Sequence, residues 1–245
     1  MKLPMSISKR EMALRLHASI DSDFFKSRLS SIHRHFPNLK NEGRYRDALL
    51  EAFNMDPRRE EDDLLAYAEV NKVDLVVCPA EGAHAQHLRV EIKYHFTYDF
   101  YARVRRDLPA FAESGLTKER GDLAAIAKDW IGKESDMFIL IVQDRFAASY
   151  GEVHPGSKKD PMLYERGVKL HFLHEQAMLD AQYSDRARNR DAWSSPLREM
   201  LEHFQRARPF EPLKEYEIEV VRQRRETLPL TSHIFTLLRH DANAR

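Results

Sequence analysis

The run Val73-Asp74-Leu75-Val76-Val77-Cys78-Pro79, followed after a short polar stretch by His87-Leu88-Arg89-Val90-Glu91-Ile92-Lys93-Tyr94, decides the fold. β-Branched and apolar residues dominate both segments, and Pro79, Glu81 and Gly82 supply turn chemistry between them, so the pattern predicts a hairpin of two strands. Successive side chains of a strand alternate, which puts Leu88, Val90, Ile92 and Tyr94 on one face and Arg89, Glu91, Lys93 and His95 on the other. A carboxylate and an ammonium thus emerge side by side from one strand. Asp74, on the neighbouring strand, brings a second carboxylate to them.

Upstream, the pattern is helical. Ser8 and Glu11 have capping-box spacing before Met12 and Leu16. Asp21 and Ser22 can cap a second helix whose Phe25, Leu29, Ile32 and Phe36 form an apolar stripe ended by Pro37. Asn41 starts a third, over Gly43 to Phe53, with Tyr45, Ala48, Leu49, Ala52 and Phe53 suited to burial and Asp47 and Glu51 one turn apart. A charged connector follows, and Leu64 to Val70 predicts a strand leading into the hairpin.

Downstream, Thr97 can cap a helix with Phe100, Val104 and Leu108 on one face, and Gly121-Asp122 opens another that carries Leu123, Ile126, Ala127, Trp130 and Ile131 and stops at Gly132. Met137 to Val142 is an unbroken apolar run, the mark of a strand buried on both faces. From Asp144 to Asp191 the pattern degrades into loops, with Val168 to Leu173 as one more strand. Ser195-Pro196 then precedes a helix with Leu197, Met200, Leu201 and Phe204, Tyr216 to Val220 alternates as a strand, and Ile234 to Leu238 makes a last one. The expected fold class is α/β, an α/β/α sandwich around a mixed central sheet, in a single domain over 1–245. Its core spans about 41–144, with N-terminal helices over 8–36 and a mixed α/β C-terminal extension over 145–245.

Composition narrows the setting. Lys plus Arg and Asp plus Glu both number 39, so the bulk field recruits neither nucleic acid nor membrane, and any anionic ligand must find a local patch. The single cysteine, Cys78, permits no intrachain disulfide and fits a reducing compartment. No segment approaches the length of a membrane span, which predicts a cytoplasmic protein with no membrane partner.

Two neighbouring carboxylates repel unless a cation neutralises them, and a small set of hard oxygen ligands suits Mg²⁺, with Mn²⁺ as a substitute. Asp74 and Glu91 would be such ligands, with the backbone carbonyl of Ile92 between Glu91 and Lys93. The ion could polarise a phosphoryl oxygen and acidify a water, while Lys93 orients that water or offsets charge on phosphorus. Val73-Asp74 followed by Glu91-Ile92-Lys93 resembles the signature of the PD-(D/E)XK, or restriction-endonuclease-like, nucleases. Val73 stands where that family usually has proline, which carries none of the chemistry. The helix, three strands, helix, strand order from about Gly43 to Val142 is likewise similar to the family's core.

That resemblance implies a magnesium-dependent endonuclease hydrolysing DNA, with Asp74, Glu91 and Lys93 catalytic, in restriction, phage defence or repair. It also implies a further acid near the metal, for which Glu51 is the choice, with Asp47 and Glu69 as alternatives. RNA stays open as a substrate, and cleavage of both strands would call for a homodimer or a larger defence or repair complex. Arg103, Arg105 and Arg106, with Tyr98 and Tyr101, follow the site strand and can contact phosphates or stack on bases, or form an ordinary solvated face. Lys158-Lys159 and Arg222 to Arg225 are weaker contacts of the same kind. His84-x-x-His87 and His171-x-x-His174-Glu175 lack the companion ligands of a zinc site, and no phosphate-binding glycine loop occurs. The reading from a different class is an inactive nucleic-acid-binding or assembly module that keeps the fold.

Overall fold

The computed structural model describes residues 7–35, 41–58, 63–70, 73–79, 87–97, 99–105, 107–109, 122–132, 134–144, 190–220 and 230–240. The strand over Val168–Leu173 expected from the sequence lies outside them, as do Lys158, Lys159, Arg222 to Arg225, His84, His171 and His174.

Six strands make one mixed sheet: β1 (Leu64–Ala68), β2 (Leu75–Pro79), β3 (Leu88–Phe96), β4 (Met137–Gln143), β5 (Phe210–Val220) and β6 (Leu230–Arg239), in the order β1-β2-β3-β4-β6-β5. Among the described strands only β3 and β4 run parallel; the other neighbours are antiparallel. The unbroken apolar run of β4 is buried throughout and feeds both sides of the sheet. Met137, Ile139 and Ile141 join one core, and Phe138, Leu140 and Val142 the other. Helices α1 (Lys9–Ile20), α2 (Asp23–His35) and α3 (Glu42–Asn54) cover the first face; α4 (Asp122–Gly132), α5 (Arg190–Ala207) and a π-helical turn (Asp99–Val104) cover the second. The layering is therefore helix, sheet, helix.

Local sequence accounts for most of these elements. Ser8 and Glu11 form the reciprocal capping box at the start of α1, and Ser22 Oγ accepts the Phe25 amide at the start of α2. Tyr45, Ala48, Leu49, Ala52 and Phe53 are the buried stripe of α3. Full burial of one such side chain contributes on the order of 2 kcal/mol, so each stripe holds its helix to the sheet more firmly than helix propensity could.

Three element boundaries differ from the expected ones. The first strand ends at Ala68 rather than Val70, because Glu69 takes a left-handed φ of 56° and turns the chain. The second starts at Leu75, so Val73 and Asp74 belong to the turn, closed by the Glu69 amide on the Asp74 carbonyl at 3.0 Å. The final helix starts at Arg190 and carries Pro196 inside it. A proline there removes only a bond to the first-turn carbonyl of Ala192, while the earlier start buries Trp193 against the second core. The C-terminal extension joins the central sheet through β6 and β5. β6 pairs directly with β4 and continues the same sheet.

A polar knot ties the first helical layer to the sheet. The Tyr45 hydroxyl meets His33 Nε2 at 2.6 Å, Gln143 Oε1 at 3.1 Å and Ser232 Oγ at 2.5 Å, joining α2, α3, β4 and β6. Burial lowers the His33 pKa from 6.5 to about 4. In that window the unfolded chain takes a proton that the folded chain refuses, so the stabilisation is complete above 6.5 and is lost as pH falls towards 4. The expected loss is on the order of 3 kcal/mol. Urea midpoints measured from pH 7 down to 4.5 should fall less for His33→Gln than for the wild type; parallel profiles would refute this origin.

Candidate active site

β3 outruns its neighbour. β2 pairs with Leu88, Arg89 and Val90, so the later half of β3 presents amide groups on that side that, among the described residues, no strand receives. Buried backbone amides must find acceptors, and here carboxylates supply them. Asp74 Oδ2 accepts from the Ile92 amide at 2.7 Å, Glu42 Oε2 from Tyr94 at 3.0 Å and Asp99 Oδ2 from Phe96 at 2.9 Å. Asp74 lies one residue past the last ladder pair, Leu75 with Val90, and its side chain replaces the next rung. In a strand the N–H and C=O of one residue point the same way, which leaves the Ile92 carbonyl on the edge that Asp74 occupies.

Glu91 and Lys93 project from β3 towards α4, as the alternation predicts, because Leu88, Val90, Ile92 and Tyr94 fill the opposite core. Glu91 is fully buried. Lys93 Nζ lies 2.8 Å from Glu91 Oε1, 3.1 Å from Asp129 Oδ2 of α4 and 3.8 Å from Glu42 Oε1. Burial alone pushes the Lys93 pKa down, but the hydrogen bond with Glu91 and the charges of Glu42, Glu91 and Asp129 outweigh it, and the net shift is upward. Lys93 is therefore an ammonium, a donor that cannot serve as a base. Glu42 is bifunctional, with one oxygen on the Tyr94 amide and the other facing Lys93.

The acids singled out on α3 and after β1 make ion pairs of their own, while Glu42 is the α3 acid beside Lys93. Glu51 pairs with Arg28 at 2.9 Å, while Asp47 and Glu69 both engage Arg46. Glu42 and Glu51 are nine positions apart on α3, which separates them by about 13 Å along the axis and roughly half a turn around it. The first turn of α3 reaches the β3 edge, where Glu42 and Tyr45 both meet Tyr94. Neither Glu42 nor Asp129 was singled out from the sequence: Glu42 precedes the apolar stripe, and Asp129 sits in a helix chosen for its apolar residues. A first-turn glutamate after Asn41 is a helix-start signal, which masks any second role.

Arg105 is exposed beside the π-helical turn, where it can meet solvent or a ligand. Arg103 and Tyr101 lie on the turn itself, and Tyr98 and Arg106 are outside the described residues. Elsewhere, a groove of about 400 Å³ opens between α5 and the β5–β6 pair, lined by Leu201, Gln205, Lys214, Glu215 and Phe235 among others. It does not include Lys93. Among the described residues no helix is long and apolar enough to cross a membrane.

No family model, no curated protein and no solved structure matches this chain.

Replacing Lys93 with methionine removes the ammonium and leaves Glu91 as a buried charge facing other carboxylates. A loss of roughly 3 kcal/mol is expected at pH 7. Adding Glu91→Gln to Lys93→Met should recover part of that loss in chemical denaturation, because the two sites couple directly. Additive losses would show that the pair does not interact in solution.

Proposed function

We propose that this chain is a divalent-metal-dependent nuclease of the PD-(D/E)XK type, hydrolysing phosphodiester bonds of DNA. The observation that carries the reading is the gathering of Asp74, Glu91, Glu42 and Lys93 at the vacated edge of β3. The donor set fits a hard cation: carboxyl oxygens predominate, and a single ammonium lies among them. Held by Asp74, Glu91 and Glu42, with the Ile92 carbonyl beside them, Mg²⁺ or Mn²⁺ would polarise a phosphoryl oxygen and acidify a water.

The chain's own groups divide the remaining work. Lys93 donates hydrogen bonds to the attacking water or to a non-bridging phosphate oxygen, and its charge offsets that growing on phosphorus. Asp129 holds the ammonium from the α4 side, so that Lys93 does not swing away when Glu91 turns to a cation. Asp74 and Glu42 stay oriented through the Ile92 and Tyr94 amides, which keeps an oxygen of each available on the same edge. Arg105, and the arginines and tyrosines next to it in sequence, would supply the local positive patch that a chain of zero net charge needs to hold DNA.

One observation favours a second reading, a nucleic-acid-binding or assembly module without chemistry. Lys93 is already surrounded by three carboxyl groups, as a purely structural ion cluster would be. Plasmid nicking separates the two. Asp74→Asn keeps an oxygen for the Ile92 amide and so preserves the fold, yet removes a charged ligand. It should lower Mg²⁺-dependent nicking by at least about a hundredfold, and Lys93→Ala, shown folded by circular dichroism, should do the same. Undiminished nicking in both variants would refute the assignment, and DNA binding indifferent to Mg²⁺ without cleavage under any divalent ion would establish the module.

A further inference from the structure

We propose that Glu215, Glu217 and His233 form a second metal site, suited to a transition ion of the Zn²⁺ class and distinct from the carboxylates around Lys93. Glu217 of β5 stands directly opposite His233 of β6, and Glu215 lies two residues along on the same face of the sheet. One ligand atom of each lies within 4.8 Å of the others. The two glutamates are exposed, whereas His233 is only 7% accessible.

The histidine points to a ligand independently of the acids. Among the described residues its buried Nδ1 has no hydrogen-bond partner; it faces Glu217 Oε1 at 3.7 Å, too far for a hydrogen bond. On the other side of the ring, Nε2 faces Asp144 Oδ1 at 3.5 Å, and Asp144 is itself anchored by the Thr231 amide at 3.0 Å. Carboxylates thus face both ring nitrogens, and a neutral imidazole carries its proton on only one of them, which leaves the other a lone pair for a ligand, in the carboxylate–histidine arrangement that orients metal-binding histidines. Trp193 packs on the ring at 4.7 Å between centroids and holds its plane. A lone pair and a carboxylate oxygen aimed at each other call for a cation between them.

Arg190, at the start of α5, now bonds both Glu215 and Glu217. Its guanidinium provides the positive charge that a metal would bring, so ion and arginine compete for the same oxygens. One imidazole with two carboxylates suits zinc better than magnesium, and three protein ligands leave a position for water. The cluster shares a sheet face with the Lys93 site but not its residues. His95 and His233 both align with Val142, one on each side of β4, which places them roughly 10 Å apart.

Isothermal titration of the full chain, stripped with chelator and titrated with Zn²⁺ alone, tests this. The wild type and an Asp74→Asn/Glu91→Gln double variant should bind with the same affinity. Glu217→Gln, an exposed change that spares the fold, and His233→Ala should each weaken that site at least tenfold, and Arg190→Gln should tighten it severalfold. Absence of binding, equal affinity in Glu217→Gln and His233→Ala, loss in the double variant, or weaker binding in Arg190→Gln would each overturn the proposal. Nicking by the Lys93 site does not enter the readout, so either reading can fail alone.

Discussion

The amide groups of β3 beyond the end of β2 are the constraint on which the site depends. A strand end that projects past its partner must pair its N–H groups or lose on the order of 1–3 kcal/mol for each one buried unsatisfied. Pairing them with another strand would have closed the edge. Pairing them with Asp74, Glu42 and Asp99 instead collects acids from the β1–β2 turn, the first turn of α3 and the segment after β3 along one line. Backbone satisfaction and the assembly of a charged site are thus the same set of bonds.

Such a line of acids raises its own electrostatic problem, which Lys93 and the surrounding layers answer. An ammonium beside Glu91, Asp129 and Glu42 keeps the fully buried Glu91 from facing like charges alone. The helix layers hold the geometry. Asp136 illustrates the linkage: its carboxylate takes Lys9 of α1 at 2.9 Å and the Arg89 amide of β3 at 2.9 Å, and its carbonyl takes the Arg239 amide of β6. Along with the Tyr45 knot, this fastens the first helical layer to the central strands, so Glu42 in α3 and Glu91 and Lys93 in β3 stand on packed elements, and Asp74 is held to them through the Ile92 amide.

The two charged clusters on the second sheet face follow one rule. Where β3 carries Glu91, Lys93 and His95 and the β5–β6 pair carries Glu215, Glu217 and His233, the central strand between them offers only Phe138, Leu140 and Val142. Apolar β4 keeps the clusters apart and gives α4, α5 and the π-helical turn an apolar floor to pack on. Burying a wholly charged face would have been prohibitive; dividing the charge between two flanks leaves the centre as a core.

Local periodicity is legible without the fold. The alternation in β3, the apolar run of β4, the Ser8 capping box and the stripe of α3 each follow from neighbouring residues, and they specify the α/β class and the shared face of Glu91 and Lys93. The end of β1 and the start of β2 are not legible in this way because the left-handed Glu69 leaves no periodic trace, nor is the start of α5, where burial of Trp193 outweighs the local signal of Pro196. Which acid meets Lys93 depends on long-range packing. Glu42, Asp47 and Glu51 are equivalent as residues on one helix. Their separation comes from which end of α3 abuts the open edge of β3, and that is set by helix–sheet packing and by the length at which β2 stops, properties of no single stretch of chain.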